Sequence, residues 1–184
     1  TENPKFTSVC VLTDKEEIGS MGTTGLNSDY VFHFLGYLAD IQDGNYKLML
    51  QNSKCLSADV SAAFDPTFPD VMEKRNASFL NKGVCLTKHT GARGKSGTND
   101  APAELMGFVA DILDDAGVIW QTGELGKVDA GGGGTVAQYV ANRDIDTVDI
   151  GVPVLAMHSP FEVVAKLDVY MTYKAFAAFK ASKK

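Results

Sequence analysis

Short apolar runs rich in β-branched residues alternate along this chain with stretches whose apolar residues recur at helical spacing, and few folds accommodate that alternation. Residues 6–12, 54–58, 83–87, 118–120, 147–150 and 152–157 read as strands. Val31, Phe34, Leu35, Leu38 and Ile41 mark an amphipathic helix over 29–42. Leu105, Phe108, Val109, Ile112 and Leu113 mark a second, with Asn99 or Asp100 as its cap. Residues 47–50 read as a short strand or a helix end, 61–82 as a long irregular loop, and 131–134 as the opening of a short helix to about residue 142. Ser159-Pro160-Phe161-Glu162 is a capping box with proline at the first helical position. It predicts a last helix whose core face is Val164, Leu167, Met171, Ala175 and Ala178. Strands alternating with helices imply an α/β fold, its sheet largely parallel and covered on both faces.

Composition narrows the function classes. With 184 residues and 45% hydrophobic content, one domain with a real core is expected. Net charge is −6, and no Lys/Arg block precedes the Lys180…Lys183-Lys184 tail, which argues against nucleic acid and anionic membrane as partners. Cys10, Cys55 and Cys85 form no Cys-x-x-Cys pair and read as reduced thiols of a cytoplasmic protein. No apolar run approaches membrane-spanning length, and no signal peptide opens the chain. Thr1-Glu-Asn-Pro4 leads almost at once into the apolar run 6–12, so the chain reads as the later part of a larger fold.

The candidate chemistry sits at strand ends. Asp14-Lys15-Glu16-Glu17-Ile18-Gly19-Ser20 follows the run 6–12, and two adjacent carboxylates leaving a core strand are costly unless something uses them. Adjacent residues there point in different directions, so one carboxylate can ligate a metal while its neighbour faces a water. Gly19, Gly22 and Gly25 let the chain turn tightly around the pair. Asp59 and His158 end two other strands. Together they make a carboxylate and imidazole set suited to zinc, manganese or cobalt.

Two glycine-rich stretches offer other chemistry. Gly91-Ala-Arg-Gly-Lys95-Ser96 approximates a phosphate-binding loop, but His89 stands at its first glycine position and the next helix starts too late. It reads as a rim loop whose Lys88, His89, Arg93 and Lys95 form a positive patch. Residues 131–134, four glycines before Thr135, either present backbone N–H groups to an anion or oxyanion, or form a flexible turn.

Three segments carry a family resemblance: Asp14–Ser20, Ser57-Ala-Asp59-Val-x-x-Ala63-x-x-Pro66, and Val148-Asp-Ile-Gly-x-Pro153-x-Leu-x-Met-His158-Ser159. In this order they resemble the M18 metalloaminopeptidases, the group of aspartyl aminopeptidase and aminopeptidase I. The resemblance implies a three-layer sandwich on a mixed, phosphorylase/hydrolase-like sheet with two divalent metals at its edge. It implies Glu16 as general base, Glu17 as ligand of one metal, and Asp59 and His158 as ligands of the other. Lys88, Gly133 and Gly134 would face a peptide substrate, and the assembly would be a homo-oligomer. The family's earlier His-x-Asp-Ser-Pro and Asp-Asn-Arg-like motifs and its oligomerisation domain are not in these residues. Residues 1–184 therefore resemble the C-terminal portion of the catalytic domain, expected to be inactive alone. The alternative reading is a folded interaction module without a complete metal site.

Overall fold

The computed structural model describes residues 4–93 and 95–183; Thr1 to Asn3, Gly94 and Lys184 lie outside the described residues. Among the described residues, helices α1 (Tyr30–Ile41) and α2 (Tyr46–Gln51) come first. The ambiguous 47–50 stretch is thus helical, and Asn45 caps it by accepting the Leu48 N–H at 3.1 Å. Strands β1 (Lys54–Ala62), β2 (Val84–Thr87), β3 (His89–Ala92) and β4 (Ser96–Asp100) precede α3 (Ala103–Asp115). Then come β5 (Trp120–Thr122), α4 (Ala137–Ala141), β6 (Asp146–Leu155), β7 (Val163–Val164) and α5 (Lys166–Ala181).

The main sheet runs β1-β6-β2-β5, with β7 paired to the end of β6. β1–β6 and β2–β5 are parallel, whereas β2–β6 and β6–β7 are antiparallel, so the sheet is mixed. Alternation along β6 separates two faces. Val148 and Ile150 join Val84 and Leu86 beneath Leu105, Val109 and Leu113 of α3 and Met171 and Ala175 of α5. On the other side, Phe32 of α1, Leu50 of α2 and Ile145 form a smaller cluster around Cys55 and Val140. The layers are helix, sheet and helix, as the alternation implied.

Five local expectations are corrected. Residues 6–12 are not a core strand: they pair with no strand among the described residues, and Phe6, Val9, Val11 and Leu12 are exposed, Leu12 at 94%. A strand gains its stability from a ladder partner, and apolar content does not supply one. The sequence 146–155 is one strand, not two broken at Gly151. A Cβ at 151 would lie 1.7 Å from the Asp59 carbonyl oxygen, so glycine is required by the close approach of β1. The expected rim loop contains strand: Gly91 and Ala92 belong to β3 and Ser96 to β4, which pair antiparallel as a hairpin. Finally, Ser159 to Glu162 do not start a helix. Their side chains close a turn instead: Ser159 Oγ accepts the Phe161 N–H at 3.3 Å, and Glu162 Oε1 accepts the His158 N–H at 2.6 Å. The helix begins at Lys166, after β7, and Pro102 rather than Asn99 or Asp100 stands at the N-cap of α3.

Candidate active site

Glu16 and Glu17 occupy a single 3-10 turn, Glu16–Ile18, bracketed by left-handed backbone at Lys15 (φ 64°), Gly19 (φ 83°) and Ser20 (φ 57°). Two non-glycine residues in that region each cost about 1 kcal/mol or more, which local bonds must offset. They do so by closing the loop: Asp14 N–H donates to the Thr24 carbonyl at 3.3 Å, Thr24 Oγ1 donates to Asp14 Oδ2 at 3.1 Å, and Asn27 N–H reaches the Ser20 carbonyl at 3.1 Å. The Tyr139 hydroxyl of α4 donates to the Gly19 carbonyl at 3.1 Å, tying the turn to the body of the protein.

The opposite wall is the exit of β6. Ala156 (φ 58°) and His158 (φ 66°) are again left-handed, and they swing the chain off the strand so that the imidazole turns back. His158 Nδ1 lies 3.6 Å from Glu17 Oε1. Asp59, in β1, is paired in register with Gly151, and its Oδ1 accepts the Val60 N–H at 2.7 Å.

Electrostatics shows that the four groups share one neighbourhood. Burial, then the negative charges of Asp59 and Glu17, raise the Glu16 carboxyl above its ordinary range, with His158 opposing. Asp59 is likewise raised, chiefly by burial, and it too feels Glu17 and His158. Of the four, His158 follows the end of β6, Asp59 lies within β1, and Glu16 and Glu17 stand in a turn that follows no strand.

The donor set fits zinc in its chemistry. Carboxylate oxygens and an imidazole nitrogen are among its usual ligands, and Glu17 Oε1 and His158 Nδ1 stand 3.6 Å apart. Asp59 supplies a further oxygen in the same field. Among the described residues, however, no three His, Cys, Asp or Glu side chains are arranged as one cage, and His158 faces Glu17 directly.

The residues expected to face substrate are placed separately. Lys88 links β2 to β3 and pairs with Asp100. Gly133 accepts the Gly91 N–H at 2.9 Å and Gly131 the Arg93 N–H at 2.7 Å, so the glycine segment lies along the hairpin. Lys95 meets Asp129 at 3.3 Å, so the positive patch is partly neutralised. A concavity of about 410 Å³ is walled by the 21–23 and 27–30 segments and His33 and contains none of the four clustered groups.

Sequence reasoning missed the buried polar centre beside this site. Asp149 of β6 is 5% exposed and accepts the Thr135 hydroxyl at 2.6 Å and, more weakly, the Asn99 amide at 3.4 Å. A charged residue between Val148 and Ile150 was the available signal, since acids are rarely buried unpaired.

With this geometry in hand, comparison with known proteins is specific. The family model described as aminopeptidase I zinc metalloprotease (M18) matches residues 1–180. A curated relative from Clostridium acetobutylicum, a probable M18 family aminopeptidase 1, is 46% identical over 182 residues, covering 97% of this chain and 39% of its own length. The crystal structure of an M18-family aminopeptidase from Thermotoga maritima superposes with a TM-score of 0.87 at 44% identity, over 91% of this chain and 38% of that one. Aminopeptidase I from Clostridium acetobutylicum gives a TM-score of 0.83 at 46% identity, over 92% and 37%. The chain thus spans about two fifths of the length of the relatives it matches.

Proposed function

Because the chain belongs to the M18 family of aminopeptidases, we propose that it forms the C-terminal portion of the catalytic domain of a zinc aminopeptidase that removes N-terminal residues from peptides. The observation that carries the reading is the meeting of Glu17 and His158 at 3.6 Å, from opposite ends of the chain, within the field of Glu16 and Asp59. Glu17, Asp59 and His158 would hold zinc. When bound, zinc supplies Lewis acidity toward a carbonyl oxygen and toward water. Glu16 takes the proton of the attacking water at its carboxylate and returns it to the leaving amine. Lys88 and the backbone of Gly133 and Gly134 would hold the peptide beyond the scissile bond.

Placement of the whole protein in the cytoplasm is part of the same proposal, supported by cysteines that are all free. Among the described residues no helix is long and apolar enough to cross a membrane. A homo-oligomer is proposed on the exposed apolar row Tyr30, Phe34, Tyr37 and Ile41, spaced along one face of α1. Manganese or cobalt remain alternatives to zinc on the donor chemistry.

The decisive experiment is metal analysis of His158→Ala in the whole protein. Each side chain lost from a small set of ligands weakens what remains, so zinc occupancy is expected to fall at least tenfold, with turnover falling in parallel. Full zinc content in that variant would overturn the assignment.

The 184 residues by themselves support a second reading, a folded but inactive unit, since no three-donor cage forms among the described residues. Calorimetric titration of zinc into the isolated chain is expected to show binding at least a thousandfold weaker than a structural zinc site, and no hydrolysis of an aspartyl or leucyl chromogenic amide. Tight binding with turnover would show that these residues contain a complete site.

A further inference from the structure

We propose that Asp149 is a positioning residue: its buried carboxylate pins the β3–β4 hairpin and the 131–135 segment to the strand that delivers His158. The inference rests on the proposed aminopeptidase reading, in which Lys88, at the base of that hairpin, and Gly133 and Gly134 of that segment hold the peptide.

Asp149 sits in the middle of β6, opposite Ser57 of β1 and Thr87 of β2. Its two oxygens serve two different elements. Oδ1 accepts the hydroxyl of Thr135, the residue that ends the glycine segment, at 2.6 Å. Oδ2 accepts the side-chain amide of Asn99, in the returning strand of the hairpin, at 3.4 Å, and the same amide donates to the Thr147 carbonyl at 3.0 Å. Thr135 and Asn99 are themselves at most 9% exposed. Burial raises the Asp149 carboxyl, and the bonds from Thr135 and Asn99 lower it again. Ser57 Oγ, on the residue opposite, is buried and makes no hydrogen bond.

The two elements so pinned are also joined to each other. Their backbones are bonded through Gly91–Gly133 and Arg93–Gly131, and they touch too closely for side chains. A Cβ at 132 would lie 2.5 Å from the Gly91 carbonyl oxygen, and one at 134 would lie 2.6 Å from that of Gly97. Together they border the site on two sides. Beyond Thr135, Tyr139 reaches the Gly19 carbonyl at the end of the Glu16–Ile18 turn. Beyond Asn99, the Ala101 N–H donates to the Lys88 carbonyl at 2.8 Å and closes the base of the hairpin. Asp149 also feels Asp59, its diagonal neighbour on the same sheet face. It makes no hydrogen bond or ion pair with Glu16, Glu17, Asp59 or His158, so its loss displaces the rim and leaves the proposed ligands in place.

The test compares Thr135→Val, which keeps the shape of the side chain and removes the hydroxyl, with Thr135→Ser, which restores it, in the whole protein. Peptide KM, kcat, zinc content and melting temperature are measured for each. The Val variant is expected to raise KM at least tenfold, with kcat within threefold of wild type and zinc retained, and the Ser variant to return KM to within threefold of wild type. A Val variant with a lowered melting temperature and an unchanged KM would make Asp149 merely structural and overturn the inference. So would a Ser variant that behaves like Val. If Thr135→Val fails to fold, Asn99→Ala, which removes the longer bond, is read by the same KM criterion. An inactive wild-type whole protein would overturn the aminopeptidase reading itself, whereas an active one with KM unmoved by these changes overturns this inference alone.

Discussion

Glu16→Gln in the whole protein is expected to lower kcat on the order of a thousandfold while zinc content stays at the wild-type level, because general-base transfer contributes roughly 10²–10⁴ to rate. The substitution keeps the size and hydrogen-bonding reach of the side chain and removes only its ability to take a proton. Glu17, and not Glu16, contacts His158. The turn that holds both is closed by Asp14, Thr24 and Asn27 and by Tyr139, none of which depends on the Glu16 side chain. The amide should therefore fold in place, with KM close to wild type, since the rim that would hold the peptide is anchored elsewhere. Metal analysis alongside peptide hydrolysis decides the matter. A Glu16→Gln variant that has lost its zinc would make Glu16 a ligand, and one that turns over at the wild-type rate would remove it from the proton path.

How much the sequence revealed depends on the range of the interactions involved. The 3.6-residue period of α3 and the apolar character of β6 are local properties: the helix stands where its period put it, and β6 covers the expected apolar residues as one strand instead of two. The strand-end reading holds for His158, just past β6, but Asp59 lies within β1 and Glu16 and Glu17 stand in a 3-10 turn that follows no strand, so the loop around that turn rather than a strand end places the pair. The failures came where a local signal needed a distant partner. Phe6 to Leu12 have strand composition but no ladder, so their side chains face outward. Ser159-Pro160-Phe161-Glu162 has the bonds of a cap but not the helix: its Glu162 turns to the His158 N–H and fixes the imidazole's exit from β6. Gly151 looked like a break and is instead the place where β1 comes closest. Asp149 was legible as an acid in an apolar strand, but its partners Thr135 and Asn99 come from distant segments that no periodicity connects.

The largest stability loss is expected at a residue that takes no part in the site. Asp168 is fully buried in the first turn of α5, and its carboxylate accepts two backbone N–H groups, from Asn81 to Oδ2 and from Gly83 to Oδ1, each at 2.7 Å. Those two amides belong to a tight turn with left-handed backbone at Asn81 (φ 63°) and Gly83 (φ 88°), which leads the chain into β2. The turn has no freedom to relax, since a Cβ at 83 would already stand 2.0 Å from the Ile119 carbonyl oxygen. The carboxylate also sits where the helix N-terminus favours negative charge. Asp168→Ala removes both acceptors and leaves the buried Gly83 N–H without a partner, at about 1–3 kcal/mol, and the part-buried Asn81 N–H at less, so a loss of roughly 2–4 kcal/mol is expected. Asp168→Asn keeps one acceptor and turns an amide donor toward the other N–H, which places it between wild type and Ala. Against total stabilities of about 5–15 kcal/mol, the Ala variant should be largely unfolded at moderate urea. Urea unfolding of the three proteins should give that order of midpoints, with the β2 edge and the α3–α5 core lost together because Val84 and Leu86 lie in the same cluster as Met171 and Ala175. An Ala variant within about 1 kcal/mol of wild type would mean that water or a shifted turn satisfies the two amides, and that Asp168 does not join α5 to the sheet.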